Sequence, residues 1–443
     1  MNRKTRRAVC SKPIYLCKAK NNKQLEVDFK GGDISSDAGV LLLSKIDKRL
    51  GLLKNVASGL EDSRRAKSCE HDFLAMLKQR VYGIALGYED LNDHDTLRKD
   101  LALQTAVDSE SVLASRSTLS RLENRANREW AWAIHQELFR QFISSFKVVP
   151  KELILDFDAT DDRVHGKQEG VFYHGYYGHE CFLPLYVTCD KHLLVSYLRT
   201  SNIDGAKHTW AILALLVKNL RKIWPDVKIL FRGDSGFCRH KMFSWCERNQ
   251  VDYVCGVPSN PVITKLSEPW TSKARQYFDH TGEKQRVFGE FQYQAKSWDK
   301  DRRVIVKAEV LEKGPNPRYI VTNRKDDSQE LYEDTYCARG EMENRIKEQQ
   351  LDLFADRTSC TKWWPNQLRL LFSSLAYVLV KAIRDVALTG SKLASACAGT
   401  IRLKLFKVGA VILRNTRRIR FHLSSAYPNQ NLFFEALSKL DSG

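Results

Sequence analysis

ELILDFDATDD, residues 152–162, runs three apolar residues together and then alternates apolar with acidic. That pattern predicts a buried strand ending in carboxylates. Asp156 and Asp158 are one pleat period apart, so they share a face of it. Further strands are expected over 171–177, 182–188 and 192–200. The run 209–223 spaces apolar residues three and four apart and stops at Trp224-Pro225, which predicts an amphipathic helix. VKILFRGD, residues 227–234, is the next buried strand, and 242–249 is a short helix. Strands, helix, strand and helix in that order describe a mixed-sheet α/β domain.

The flanks differ in texture. From 253 to about 323 the chain alternates in short runs, FGEFQYQAKSW, RRVIVKAEVLEK and PRYIVTN, parted by turn residues such as Gly282 and Gly314-Pro315. This predicts a β-rich insertion. Helical spacing returns over 331–354 and 363–388. Before the strand domain, 35–147 reads as helical, with Ser35 and Asp37 as caps for SDAGVLLLSKIDKRLGLL. The division expected is a basic arm (1–24), a helical DNA-binding or assembly domain (25–149), the first part of an α/β core (150–252), a β-rich insertion (253–325), the second part of the core (326–390) and a basic C-terminal region (391–443).

Charge narrows the partners. Lys and Arg total 71 against 53 acids, a net charge of +18 over 443 residues. A protein this basic suits a polyanion, above all nucleic acid. Residues 1–20 carry seven basic residues and no acid, and 392–420 carry eight and no acid. In RRIRFHL, Arg418, Arg420 and His422 alternate with apolar residues, so a strand there presents one cationic face, with Arg417 beside it. Composition, 43% hydrophobic and 28% charged, excludes wholesale disorder. None of the eleven cysteines forms a C-x-x-C pair. Cys238, Cys246 and Cys255, near His240, do not match a common zinc module, so buried free thiols in a reducing cytoplasm are expected. MNRKTRRAVC has no apolar segment behind it, so no signal peptide is expected. The apolar run 368–388 is broken by Arg369, Lys381 and Arg384 and reads as a core helix, not a membrane span.

Three acids are placed for chemistry. Asp158, or Asp156 on the same face, ends one buried strand. Asp234 ends another, flanked by Gly233 and Gly236 where the backbone can turn sharply. Glu343 shares a helix face with Tyr336 and Arg339, three and four residues apart, too polar a stripe for a core. Each acid alone could serve as a cap or ion-pair partner. Three carboxylates from separate elements suit hard divalent cations, and two such ions support in-line phosphoryl transfer.

DFDATDD, HGYYGHECFLPLYV, RGDSGF and Tyr336-x-x-Arg339-x-x-x-Glu343 together resemble the DDE transposases of bacterial insertion sequences, in particular the insertion sequence thirteen-eighty family with its Asp-Ala-Thr-Asp-Asp motif. The resemblance spans about 25–425 and takes in SDAGVLLL, STLSRLEN, ENRIKE with DRTSC, and IRLKLFKVGA. It implies an RNase H-like fold with the β-rich segment inserted between Asp234 and Glu343. It also implies Asp158, Asp234 and Glu343 as catalytic metal ligands, Asp158 being preferred because Ala159-Thr160 follows it. Two Mg²⁺ ions, with Mn²⁺ able to substitute, would be the cofactors. Tyr336 and Arg339 match residues that contact transposon-end phosphates. The Lys expected seven residues after Glu343 is replaced by Gln350, and Lys347 is the nearest basic residue. Trp298 is the candidate aromatic for stacking on a flipped base. The partners implied are double-stranded DNA, both inverted repeats and target, and a second copy of the chain in the synaptic complex. A metal-dependent nuclease without strand transfer, and a non-catalytic DNA-binding derivative, are the competing readings.

Overall fold

The computed structural model describes residues 15–18, 23–65, 67 and 69–441. Apart from the strand Tyr15–Lys18 and residues 23–24, the basic arm expected over 1–24 lies outside the described residues. The chain then folds as helices α1 (Val40–Leu50), α2 (Leu52–Gly59), α3 (Phe73–Leu86), α4 (Arg116–Glu123) and α5 (Arg128–Ser144). Their starts follow capping chemistry. Asp72 accepts from Ala75 N (3.0 Å) at α3, and Asn127 accepts from Trp130 N (2.8 Å) at α5. The caps expected for α1 are not made. Gly39 occupies that position without a side-chain cap, and Ser35 Oγ instead accepts from Asp37 N. The Asp37 carboxylate goes to Lys407 (2.7 Å) and the Tyr88 hydroxyl (2.7 Å). A Cβ on Gly39 would strike the Leu405 carbonyl, so SDAGVLLL begins its helix pressed against the C-terminal segment.

The sheet follows. Its strands are β1 (Glu152–Ala159), β2 (Leu185–Cys189), β3 (His192–Tyr197), then, after helix α6 (Thr209–Ile223), β4 (Lys228–Gly233). Helix α7 (His240–Arg248) leads to β5 (Asp252–Val257). The expected helix over 209–223 is present end to end. Segments 171–177 and 182–188 are cut shorter, into a small hairpin, Phe172–His174 with His179–Phe182, and the sheet strand β2.

After β5 come two helices that alternation in the sequence did not announce, α8 (Pro261–Leu266) and α9 (Glu268–Thr281). Asn260 caps α8 through Val262 N and Ile263 N, and a proline stands in the first turn of each. Strands β6 (Gln285–Tyr293), β7 (Arg302–Leu311) and β8 (Arg318–Thr322) then extend the same sheet. Among the described residues the order is β6-β7-β8-β5-β4-β1-β2-β3. β1, β4 and β5 are mutually parallel, and the other pairings are antiparallel. The segment between Asp234 and Glu343 is therefore α/β in content, and its strands join the central sheet instead of forming one of their own. Cross-strand pairing explains this: β8 has an open partner in β5, whose Val254–Val257 edge it covers.

The Glu343 segment is helical but uneven. It opens with wide π turns over Leu331–Tyr336, tightens at Cys337–Arg339, becomes α10 (Gly340–Lys347) and widens again over Glu348–Asp352. Such departures from α geometry concentrate at functional sites. α11 (Trp363–Ala387) is the core helix read from 368–388, and no described helix is long and apolar enough to cross a membrane. The chain closes with strands β9 (Ala410–Arg414) and β10 (Ile419–Leu423) and a final helix, Gln430–Asp441.

Two large cores result. One lies on one sheet face among β1, β2, β4 to β7, α6 and α7. The other gathers α1 to α5 around α11 with residues from 393–440. The end of α10 is tied to the second core by the next residue, Glu348, which is buried, forms an ion pair with Arg384 (2.8 Å) and accepts from Ala398 N (2.7 Å). Removing one member leaves the other charge buried, so Glu348→Ala is expected to destabilise the protein by about 3–5 kcal/mol, read from chemical denaturation. Glu348→Gln, which keeps an acceptor for Ala398, should cost less.

Candidate active site

β1 puts Leu153, Leu155 and Phe157 into the core on one face and Ile154, Asp156 and Asp158 on the other. The two acids have different fates. Asp156 is 3% exposed and takes both Nε and Nη2 of Arg232, its register partner on β4 (Nη2–Oδ2 2.6 Å). Arg232 also donates to the Thr335 carbonyl. Asp156 is thus occupied as an ion-pair partner. Asp158 lies one pleat further on, at the open end of the strand, and is the acid that pairs with Arg339.

Asp234 stands where β4 ends. Its Oδ1 accepts from Gly236 N (2.8 Å), which folds Ser235–Phe237 into one tight turn. Beside it on β5, a Cβ at Gly256 would lie 2.7 Å from Tyr336 Oη and 2.8 Å from Ser235 N. Glycine there leaves room for the Tyr336 hydroxyl and for the turn that carries Asp234.

Arg339 joins the pieces. Its Nη1 reaches Asp158 Oδ2 (3.3 Å) and its Nη2 reaches Glu343 Oε1 (2.8 Å), so one guanidinium spans from the end of β1 to α10. Burial pushes the Asp158 carboxyl up to about 7, with Asp234 and Glu343 adding repulsion and Arg339 opposing. Burial likewise raises the Tyr336 phenol to about 12, with Asp234 among the charges that add to it.

The donor set suits a hard divalent cation in kind: carboxylate oxygens from two strand ends and one helix, mutually repelling, in a basic protein. Its spacing here is set by Arg339, which stands between Asp158 and Glu343. Among the described residues no three Asp, Glu, His or Cys side chains are grouped closely enough to hold a metal ion.

The other candidates divide. Lys347 is exposed one turn beyond Glu343. Gln350 donates to the Asp161 carbonyl (3.1 Å), which places the seventh residue after Glu343 at the loop leaving Asp158. Arg417 and Arg418 lie exposed in the β9–β10 turn, their amides bonded to Asn415, and Arg420 is exposed on β10. Trp298 does not stand where a base could stack on it. It is buried, edge-on to Phe243 (5.9 Å) and Tyr293 (5.3 Å), with the Arg302 guanidinium over its ring at 5.5 Å. Cys246 and Cys255 are buried free thiols and Cys238 is partly buried. Two neighbours of the site, Tyr177 and His179, were assigned no role from the sequence. Tyr177 is half-buried close to Asp161 and Asp158, and His179 Nε2 meets Asp161 Oδ2 at 2.8 Å. The only signal for them was HGYYGHECF, an aromatic run of unusual density.

Two measurements test this arrangement. Arg232→Met strands a buried carboxylate and is expected to cost about 3–5 kcal/mol, whereas Asp156→Leu with Arg232→Met should recover much of the loss. A carboxyl whose pKa is raised by folding keeps its proton in the folded state, so its contribution to stability is lost as pH rises from 3.8 to about 7. In a chelating buffer, Asp158→Asn should therefore stabilise the protein more at pH 8 than at pH 5, by up to about 3 kcal/mol. An equal effect at both pH values would contradict the raised carboxyl.

The model of the transposase DDE domain group 1 family matches residues 17–442. Among solved structures, a piggyBac transposase synaptic complex with hairpin DNA is similar at 12% identity and a TM-score of 0.40, over 84% of this chain and 80% of that one. No curated protein matches the chain. Matched over nearly its whole length, the chain belongs to the transposase DDE domain group 1 family.

Proposed function

We propose that the protein is a DDE transposase of the insertion sequence thirteen-eighty branch that cuts DNA at the ends of its element and joins the freed 3′-hydroxyl to target DNA. The observation that carries this reading is the Arg339 bridge, which links Asp158 at the end of β1 to Glu343 on α10, beside the strand end bearing Asp234. Family membership supports the same activity. The order β3-β2-β1-β4-β5, with β1, β4 and β5 parallel, supports an RNase H-like core.

Asp158, Asp234 and Glu343 would hold divalent cations, two Mg²⁺ or Mn²⁺ ions, which when bound activate the attacking oxygen and offset charge on the leaving one. The protein's own groups do the rest. Arg339, released from the carboxylates, has donors in a planar fork that match a phosphodiester. Tyr336, whose hydroxyl lies over Gly256, would offer that hydroxyl beside it. Lys347 and the exposed Arg417, Arg418 and Arg420 would contact phosphates further along double-stranded DNA, inverted repeat or target, giving salt-dependent binding. A second copy of the chain would complete the synaptic complex.

Purified protein, Mg²⁺ and a fragment bearing the flanking inverted repeats test the reading. Asp158→Asn, Asp234→Asn and Glu343→Gln should each lower strand cleavage about a hundredfold or more, since several kcal/mol of charge stabilisation is lost, while DNA affinity changes little. Undiminished cleavage by Asp234→Asn would sink the site. Cleavage without joining would make the protein a nuclease, and no cleavage by the wild type would leave a DNA-binding derivative.

A further inference from the structure

The short hairpin Phe172–His174 with His179–Phe182 takes no part in the carboxylate cluster but stands beside it. Gly178 N bonds the His174 carbonyl (2.8 Å) to close the turn, and Gly178 adopts φ +74°, a conformation that favours glycine. Cys181 and Phe182 pair with Arg163 and Asp162, just downstream of Asp158. With the His179–Asp161 contact, the hairpin is fastened to the loop that leaves the candidate site.

Its tip is a cluster of rings. Tyr176 is 87% exposed, Tyr173 64% and Phe172 43%. Tyr177 meets Tyr176 edge-on at 5.0 Å and lies near enough to Asp158 and Asp161 for their charges to act on it. A Cβ at Gly175 or Gly178 would meet nothing within 4 Å, so space around the turn is open. Aromatic surface in water is unfavourable, and nothing described in the fold covers it.

The surroundings choose the occupant. If a phosphodiester lies at Asp158, the nucleotide attached to it lies on the side where Tyr177 stands, with Tyr176 against that ring. The hairpin offers Tyr and His beside Glu180, with none of the Leu, Val or Ile that a helix-binding groove would show. Base faces are hidden in an intact duplex, so exposed rings can take up only bases that have left their stack.

We propose that the 172–182 hairpin is a stacking platform for unpaired nucleobases of the DNA strand entering the carboxylate site, with Tyr176 as its main ring and Tyr173 as the second. The proposal rests on the DNA-cleaving reading above and adds a contact which that reading does not require.

Fluorescence anisotropy with the full-length protein provides the test. Two inverted-repeat probes of equal length are compared, one fully paired and one with three unpaired nucleotides at its terminus. Tyr176→Ala should weaken binding of the unpaired-end probe about tenfold or more and leave the paired probe nearly unchanged. Tyr176→Phe should bind as the wild type does, because the ring, not the hydroxyl, makes the contact. Equal losses on both probes, no loss, or a Phe variant as weak as Ala would each overturn the assignment. So would a change in oligomeric mass without a change in probe preference, which would make the rings a contact between copies. A wild type that cleaves inverted-repeat DNA while Tyr176→Ala keeps its probe preference removes the hairpin's role alone. A wild type that binds neither probe removes the proposed function with it.

Discussion

The buried pair Asp156–Arg232 organises the centre of this molecule. It joins two parallel strands whose order in the chain is separated by a hairpin, two strands and a helix. Arg232 reaches past its carboxylate to the Thr335 carbonyl, so one side chain sets the register of β1 on β4 and holds the Tyr336 segment over the sheet. Three candidate site residues lie next to that contact in the chain. Asp158 lies two residues beyond one partner, Asp234 two beyond the other, and Tyr336 directly after the third.

Around this anchor the site is a problem in charge. Asp158 and Glu343 come together at one end of the sheet, beside Asp234, and Arg339 pairs with the first two. The Arg339 guanidinium holds Asp158 and Glu343 near each other. The same side chain is the one best shaped to receive a phosphodiester. Under the proposed function, a phosphodiester would offer Arg339 a partner other than the two carboxylates.

Local periodicity carried much of the architecture. The strand over 152–159 and the helices at 209–223 and 363–387 were legible because each has a continuous apolar face. α8 and α9 were not, since few of their residues are buried, Ile263 and Ala274 among them, and prolines interrupt the pattern. Nor does local sequence say that β6 to β8 join the main sheet, because strand partners are chosen in space. The same limit applies at the site. Spacing placed Asp156 and Asp158 on one face, but the residue that distinguishes them is Arg232, on another strand. The family resemblance pointed to Trp298, and only the packing of Phe243, Tyr293 and Arg302 shows its ring enclosed.

The helices before the sheet pack around α11, which comes after it. This has a consequence for how the protein is made. As the chain leaves the ribosome, α1 to α5 emerge with apolar stripes exposed and no spine to cover them. At ordinary rates of synthesis α11 follows roughly ten to fifty seconds later. Through that interval the earliest part of the protein is a sticky, half-built object that depends on its surroundings to stay soluble. The last helices to be translated allow the first ones to settle, so a nascent chain stopped anywhere before them is a candidate for the cell's proteases and not for DNA.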